Sequence, residues 1–115
     1  MIRSLLLASL VLVAIATVRP ASAADVRVYI HQEMADYATF RKEYNSFEAT
    51  RRKMGVIRSS VYQSVDNKND VTVTHDFKTG DKAKAYVALP ELKASMEKVG
   101  GKGPPQIWFT TRASK

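Results

Sequence analysis

Apolar and polar residues alternate from Val26 to His31, with Val26, Val28 and Ile30 on one side and Arg27, Tyr29 and His31 on the other. That is the period of a strand. From Asp36 the spacing changes: Tyr37, Phe40, Tyr44 and Phe47 recur at steps of three and four, with charges between them. This predicts an amphipathic helix from about 36 to 53 with an aromatic stripe. Asp36 is placed to cap it, Arg51, Arg52 and Lys53 to offset the negative end of its dipole, and Gly55 to supply the left-handed stop. Val56 to Val65 is rich in β-branched residues, Asp66 to Asp70 consists of turn formers, and Val71 to Phe77 alternates again, so a hairpin is expected. A second helical stretch begins at Asp81. Pro90 interrupts and restarts it, and Leu92, Met96 and Val99 carry its apolar stripe to Gly100. The glycines and prolines from Gly100 to Pro105 end the helix, and Gln106 to Thr111 forms the last strand.

The order strand, helix, strand, strand, helix, strand is the α+β, ferredoxin-like βαββαβ pattern, a four-stranded antiparallel sheet with helices on one face. Ile107 and Phe109 point one way and Trp108 the other, so apolar side chains are expected on both faces. A lone subunit would leave one set bare, and two sheets packed face to face in a homodimer would cover it.

The first 23 residues read differently. A basic start at Arg3, an uncharged run from Ser4 to Val18 and a small-x-small site at Ala21-Ser22-Ala23 have the form of a secretory signal peptide. The apolar run is shorter than the ~20 residues of a spanning helix, so no stable membrane anchor is expected after cleavage. Residues 24–115 would then be one small domain, secreted and most simply periplasmic. The full chain has 115 residues, no cysteine and a formal net charge of +7. With no disulfide to staple it, an exported domain this small must draw its stability from burial, a subunit interface or a ligand. Export also argues against nucleic acid as the partner of the positive charge.

Asp81-Lys-Ala-Lys-Ala-Tyr-Val, Leu89-Pro-Glu-Leu-Lys-Ala-Ser-Met-Glu-Lys-Val-Gly100 and Gly103-Pro-Pro-Gln-Ile-Trp-Phe109 resemble the C-terminal half of small bacterial proteins of the dimeric α+β barrel superfamily. These are the cyclase-like and antibiotic biosynthesis monooxygenase-like proteins. The first half agrees, with a strand ending in His31 and Asp36-Tyr37 opening a helix that holds Phe40. The resemblance implies a homodimeric barrel with a pocket between sheet and helices in each subunit. It implies no single activity. Haem-degrading members carry an Asn on the first strand, and this strand has none. His75 stands where close relatives would carry an apolar residue.

Two histidines raise the question of a metal, but His31 and His75 near the ends of paired strands should lie on the order of 10 Å apart, so no metal site is expected. Asp66 to Asp70 lacks the ligand pattern of a calcium loop, since Lys68 and Val71 occupy the wrong positions. Gly100 to Gly103 follows a helix rather than preceding one, unlike a phosphate loop. There is no cysteine and no serine elbow for nucleophilic catalysis. What remains is an apolar pocket with a few polar groups, for which His31, Tyr37, His75 and Trp108 are the candidates. Binding of a small apolar or aromatic ligand without a cofactor is the favoured function. A cofactor-independent monooxygenase or cyclase-like enzyme acting on a phenolic or polyketide-like substrate is the alternative, and a purely structural or interaction protein is the third possibility.

Overall fold

The computed structural model describes residues 25–114, so the signal-peptide reading lies outside the described residues. The elements run β1 (Val26–Glu33), α1 (Tyr37–Ser46), α2 (Glu48–Lys53), β2 (Arg58–Gln63), β3 (Asp70–Phe77), α3 (Gly80–Val87), α4 (Pro90–Lys98) and β4 (Lys102–Thr111). The strands form one antiparallel sheet in the order β2-β3-β1-β4. This is the ferredoxin-like α+β fold. Among the described residues no helix is long and apolar enough to cross a membrane.

The expected helix over 36–53 is divided at Phe47, the C-cap of α1 and the N-cap of α2. Asp36 caps α1 through Oδ2, which accepts from the Thr39 amide at 2.9 Å. Gly55 ends α2 at a φ of 91°, and the Val56 amide reaches back to the Arg51 carbonyl at 3.0 Å. β4 begins at Lys102, four residues before the expected start. It is an edge strand paired only with β1, so Pro104 and Pro105 need donate nothing to a second neighbour.

Register decides which side chains meet the helices. Val28 pairs with His75, Ile30 with Val73 and Gln32 with Val71, and all six are buried on the helix-covered face. Tyr86, Phe77, Val28 and Val71 are the largest fully buried side chains, each removing apolar surface worth about 1.5–3 kcal/mol. The open face carries Arg27, Tyr29, His31 and Glu33 from β1, opposite Asp76, Thr74, Thr72 and Asp70 from β3. Trp108 lies there beside Tyr29. This face is mixed rather than apolar. Arg27 holds Asp76 through two bonds, Nε to Oδ1 at 2.7 Å and Nη2 to Oδ2 at 3.0 Å, and this keeps the guanidinium more firmly protonated than usual.

Candidate functional site

The roof of the space between sheet and helices is the aromatic stripe of α1. Phe40, Tyr44 and Phe47 face Ile30, Val73 and His75 on the sheet, and Tyr86, Leu92, Met96 and Val99 close the sides. The chamber they enclose has a volume of about 60 Å³. That admits only about four water-sized groups. A larger groove of about 440 Å³ runs along α4 between β1 and β4. Ile30, Leu92 and Met96 line both spaces and form the partition between them. Methionine is the most adaptable of the three.

Besides its apolar side chains the chamber is lined by Glu43, Tyr44, Arg51, His75, Tyr86 and Ser95, and two of these, Tyr44 and His75, are connected through Ser59. Ser59 on β2 is the cross-strand neighbour of His75, and its Oγ lies 3.0 Å from His75 Nδ1. The Tyr44 hydroxyl, reaching down from α1, lies 2.5 Å from the same Oγ. His75 is 3% exposed, and its ring packs edge-on against Tyr86 with centroids 5.0 Å apart. Burial, reinforced by the positive charge of Arg51 and opposed weakly by Asp76, pushes the imidazole down from 6.5 to about 4. His75 is therefore neutral at neutral pH. Nε2 has no hydrogen-bond partner among the described residues, yet the one sealed, unpartnered side-chain polar atom among them is Gln32 Oε1. Nε2 therefore opens onto the chamber that His75 lines. Burial raises the Tyr86 phenol, although Arg51 acts the other way, and Tyr86 also stays neutral. At the rim, the Glu43 carboxylate is held below its usual range by Lys98 and then by Ser95, tying α1 to α4.

The four residues expected to share a pocket do not meet. His75 lines the chamber. His31, expected in the sheet–helix crevice, is on the open face, where Nε2 lies 2.6 Å from Asp70 Oδ1 and Nδ1 lies 3.1 Å from Gln106 Oε1. The reason is the strand period, which turns His31 away from Ile30 and Gln32. Trp108 is on that open face too and is 49% exposed. Tyr37 is half-buried at the start of α1, its ring tilted against Phe40 at a centroid distance of 6.1 Å, outside the chamber lining. The two histidines lie on opposite faces, and no group of three or more potential metal ligands gathers among the described residues. Arg51, Ser59, Tyr86 and Glu43 are the site residues that the sequence reading missed.

No family model matches the chain, and no curated protein matches it in sequence. Solved structures do match it in shape. A proposed antibiotic biosynthesis monooxygenase from Bordetella bronchiseptica superposes with a TM-score of 0.68 at 12% identity, covering 79% of this chain and 99% of that one. The fold is that of the antibiotic biosynthesis monooxygenase-like proteins. SnoaB, a cofactor-independent oxygenase from Streptomyces nogalater, matches with a TM-score of 0.64 at 13% identity over 80% of this chain and 97% of its own. The monooxygenase ActVA-Orf6 of Streptomyces coelicolor, solved with the ligand nanaomycin D, matches at 0.62 and 18% identity, covering 80% of this chain and 90% of its own. The resemblance drawn from the sequence thus holds as a likeness of fold, and at these identities it extends no further.

Proposed function

We propose that this chain binds a small, mainly apolar ligand carrying a hydroxyl group, with the hydroxyl at His75 and the apolar body along α4. The observation that carries this reading is a neutral His75 that lines a mainly apolar chamber, its Nδ1 engaged by Ser59 and its Nε2 without a partner among the described residues. Such a nitrogen is a fixed polar contact in a mainly apolar site, the usual way a pocket sets a ligand's orientation. The α4 groove supplies the volume that the chamber lacks, and rotation of Met96 joins the two.

A second reading, cofactor-independent oxygenation, is favoured by the Tyr44–Ser59–His75 chain. An imidazole held near pKa 4 cannot keep a proton. It can take a phenolic proton at Nε2 only as Nδ1 gives its own to Ser59, Ser59 gives one to Tyr44 and Tyr44 releases one to water in the outer groove, so that each member of the chain ends neutral. Tyr44 lines the outer groove between α1 and β2 as well as the chamber. The substrate anion would then reduce O₂ itself, forming a carbon–oxygen bond and losing water to leave a carbonyl, one oxygen atom going to each product.

We propose further, from the signal-peptide pattern of the first 23 residues, that the protein is exported, and that it forms a homodimer joined through the open face. Half-exposed Trp108 and Tyr62 on that face favour a partner sheet, and the Arg27–Asp76 and His31–Asp70 pairs leave few charges bare on packing. Sedimentation of residues 24–115 as a monomer at micromolar concentration would refute the dimer. For the site, 1-naphthol is titrated calorimetrically into wild type, His75→Leu and His31→Leu. Affinity should fall about tenfold in His75→Leu, the loss of one buried hydrogen bond, and hold in His31→Leu. Equal affinity in the wild type and His75→Leu would overturn the site. Oxygen uptake with naphthoquinols that requires His75 separates turnover from binding.

A further inference from the structure

A second groove, of about 380 Å³, lies outside the chamber between α1, α2 and the start of β2. Four arginines line it, Arg41, Arg51, Arg52 and Arg58, against one acidic residue, Glu48. Glu48 is already engaged, accepting from Arg52 Nη2 at 2.9 Å. Among the described residues, none of the other three arginines has a carboxylate within ion-pair distance.

Arg51 is the unusual one. It is 6% exposed. Its Nη1 donates to the Tyr44 carbonyl at 2.5 Å, and its guanidinium carbon sits 3.8 Å from the centroid of the Tyr44 ring. Arg41 approaches the same ring at 5.2 Å. Stacking on an aromatic face offsets part of the desolvation of a buried guanidinium, but such a group is almost always paired with an anion. Here two cations share one ring and no anion is supplied. The remaining N–H groups of Arg51 have no partner among the described residues. They are not sealed either, since Gln32 Oε1 is the one such atom. They therefore open onto the cavities that Arg51 lines.

We propose that this groove is a binding site for a carboxylate ligand with an apolar body, Arg51 donating to the carboxylate and Arg41 and Arg58 adding attraction at longer range. The pinned guanidinium presents one planar edge, which matches the two oxygens of a carboxylate. A tetrahedral phosphate needs donors on more than one side. Tyr44, Val56 and Ile57 give the groove an apolar wall for the rest of the ligand, and Ile57 is 38% exposed with nothing yet against it. This site shares Tyr44 and Arg51 with the chamber, but its ligand would lie in the outer groove, and the proposal does not depend on what the chamber binds.

The probes are benzoate, benzyl alcohol and inorganic phosphate, added to full-length mature protein at matched ionic strength. The readouts are the Arg51 Nε–H resonance and the melting temperature. Benzoate should shift the resonance saturably and raise the melting temperature, benzyl alcohol should do neither, and phosphate should act more weakly than benzoate. Arg51→Met should weaken benzoate about tenfold or more, and Arg41→Gln about twofold to threefold. If Arg51→Met does not fold, the wild-type resonance and Arg41→Gln decide the matter. No saturable shift at Arg51, unchanged affinity in a folded Arg51→Met, or phosphate binding as tightly as benzoate would overturn the proposal.

Discussion

His75 should make this protein acid-sensitive well above the range in which its carboxylates titrate. Its folded-state pKa is about 4 against an ordinary 6.5, because burial and then Arg51 disfavour the imidazolium. The unfolded chain therefore binds the proton more tightly than the folded one. Stability rises with pH across this window: it is complete above the unfolded value and is lost as pH falls towards the folded value. Integrating one such group, the domain should be about 2 kcal/mol less stable at pH ~5 than at pH ~7, and about 3 kcal/mol less stable once both pKa values are passed. Against a total of roughly 5–15 kcal/mol this is a large share. Urea unfolding followed by circular dichroism at a series of pH values measures it directly, and the difference between wild type and His75→Leu isolates this group from every other. The variant should lose less than about a quarter of what the wild type loses over that window. The lowered carboxylates Glu43 and Asp36 act in a separate window below their ordinary values of 4.5 and 3.8, and they act equally in both proteins. Parallel pH profiles for the two proteins above pH ~5 would refute the reasoning.

Phe77→Ala should destabilise the domain by about 3–5 kcal/mol in the same unfolding assay, because the ring is fully buried against Tyr86 and leaves a cavity on removal. Gly101→Ala should cost about 1–2 kcal/mol, since its Cβ would stand 2.4 Å from Gln32 Nε2 and break the 2.7 Å bond to the Gly103 carbonyl. The cost should shrink when Gln32→Ala is made in the same chain.

Much of the fold can be read from the sequence because its signals are local. The alternation in β1 and β3, the caps at Asp36 and Gly55 and the restart at Pro90 all depend on neighbours within a few residues. β4 is longer than its pattern implies because glycine and proline normally end a strand, and only the edge position, a tertiary fact, permits them. The site is harder to read. Alternation assigns His31 to the side opposite Val28 and Ile30, so the strand period by itself turns it away from a pocket between sheet and helices. His75 shares its face with Val71, Val73 and Phe77, so its inward position could be read from the same rule. Arg51 stood in a run of three cations whose dipole role is ordinary. The signal that singles it out is helical: Phe40, Tyr44, Phe47 and Arg51 fall on one face at steps of four, three and four. Ser59 and Tyr86 join the site through strand pairing and helix packing, which no local pattern contains.

Arg51 also decides what the chamber can accept. A leucine would pack at least as well there, since a buried charge without a partner is a net cost to folding. What the guanidinium does is bias each titratable group around it in one direction: it lowers His75 and acts to lower Tyr86. The bias is limited. Burial outweighs Arg51 at Tyr86, so the phenol stays neutral, and His75 is neutral as well. The chamber thus has the Arg51 cation acting on His75 and Tyr86, while its one carboxylate, Glu43, is engaged by Lys98 and Ser95. Under the proposed function, a ligand hydroxyl whose pKa in the chamber lies below the surrounding pH would be bound ionised, its proton carried off through Ser59 and Tyr44, and any other would bind at Nε2 as a neutral donor, because His75 is too weak a base to hold the proton itself. Selection by acidity would then follow from the same burial that keeps the chamber small. It gives the oxygenase reading a substrate requirement that simple binding lacks, because only the ionised ligand can pass an electron to O₂.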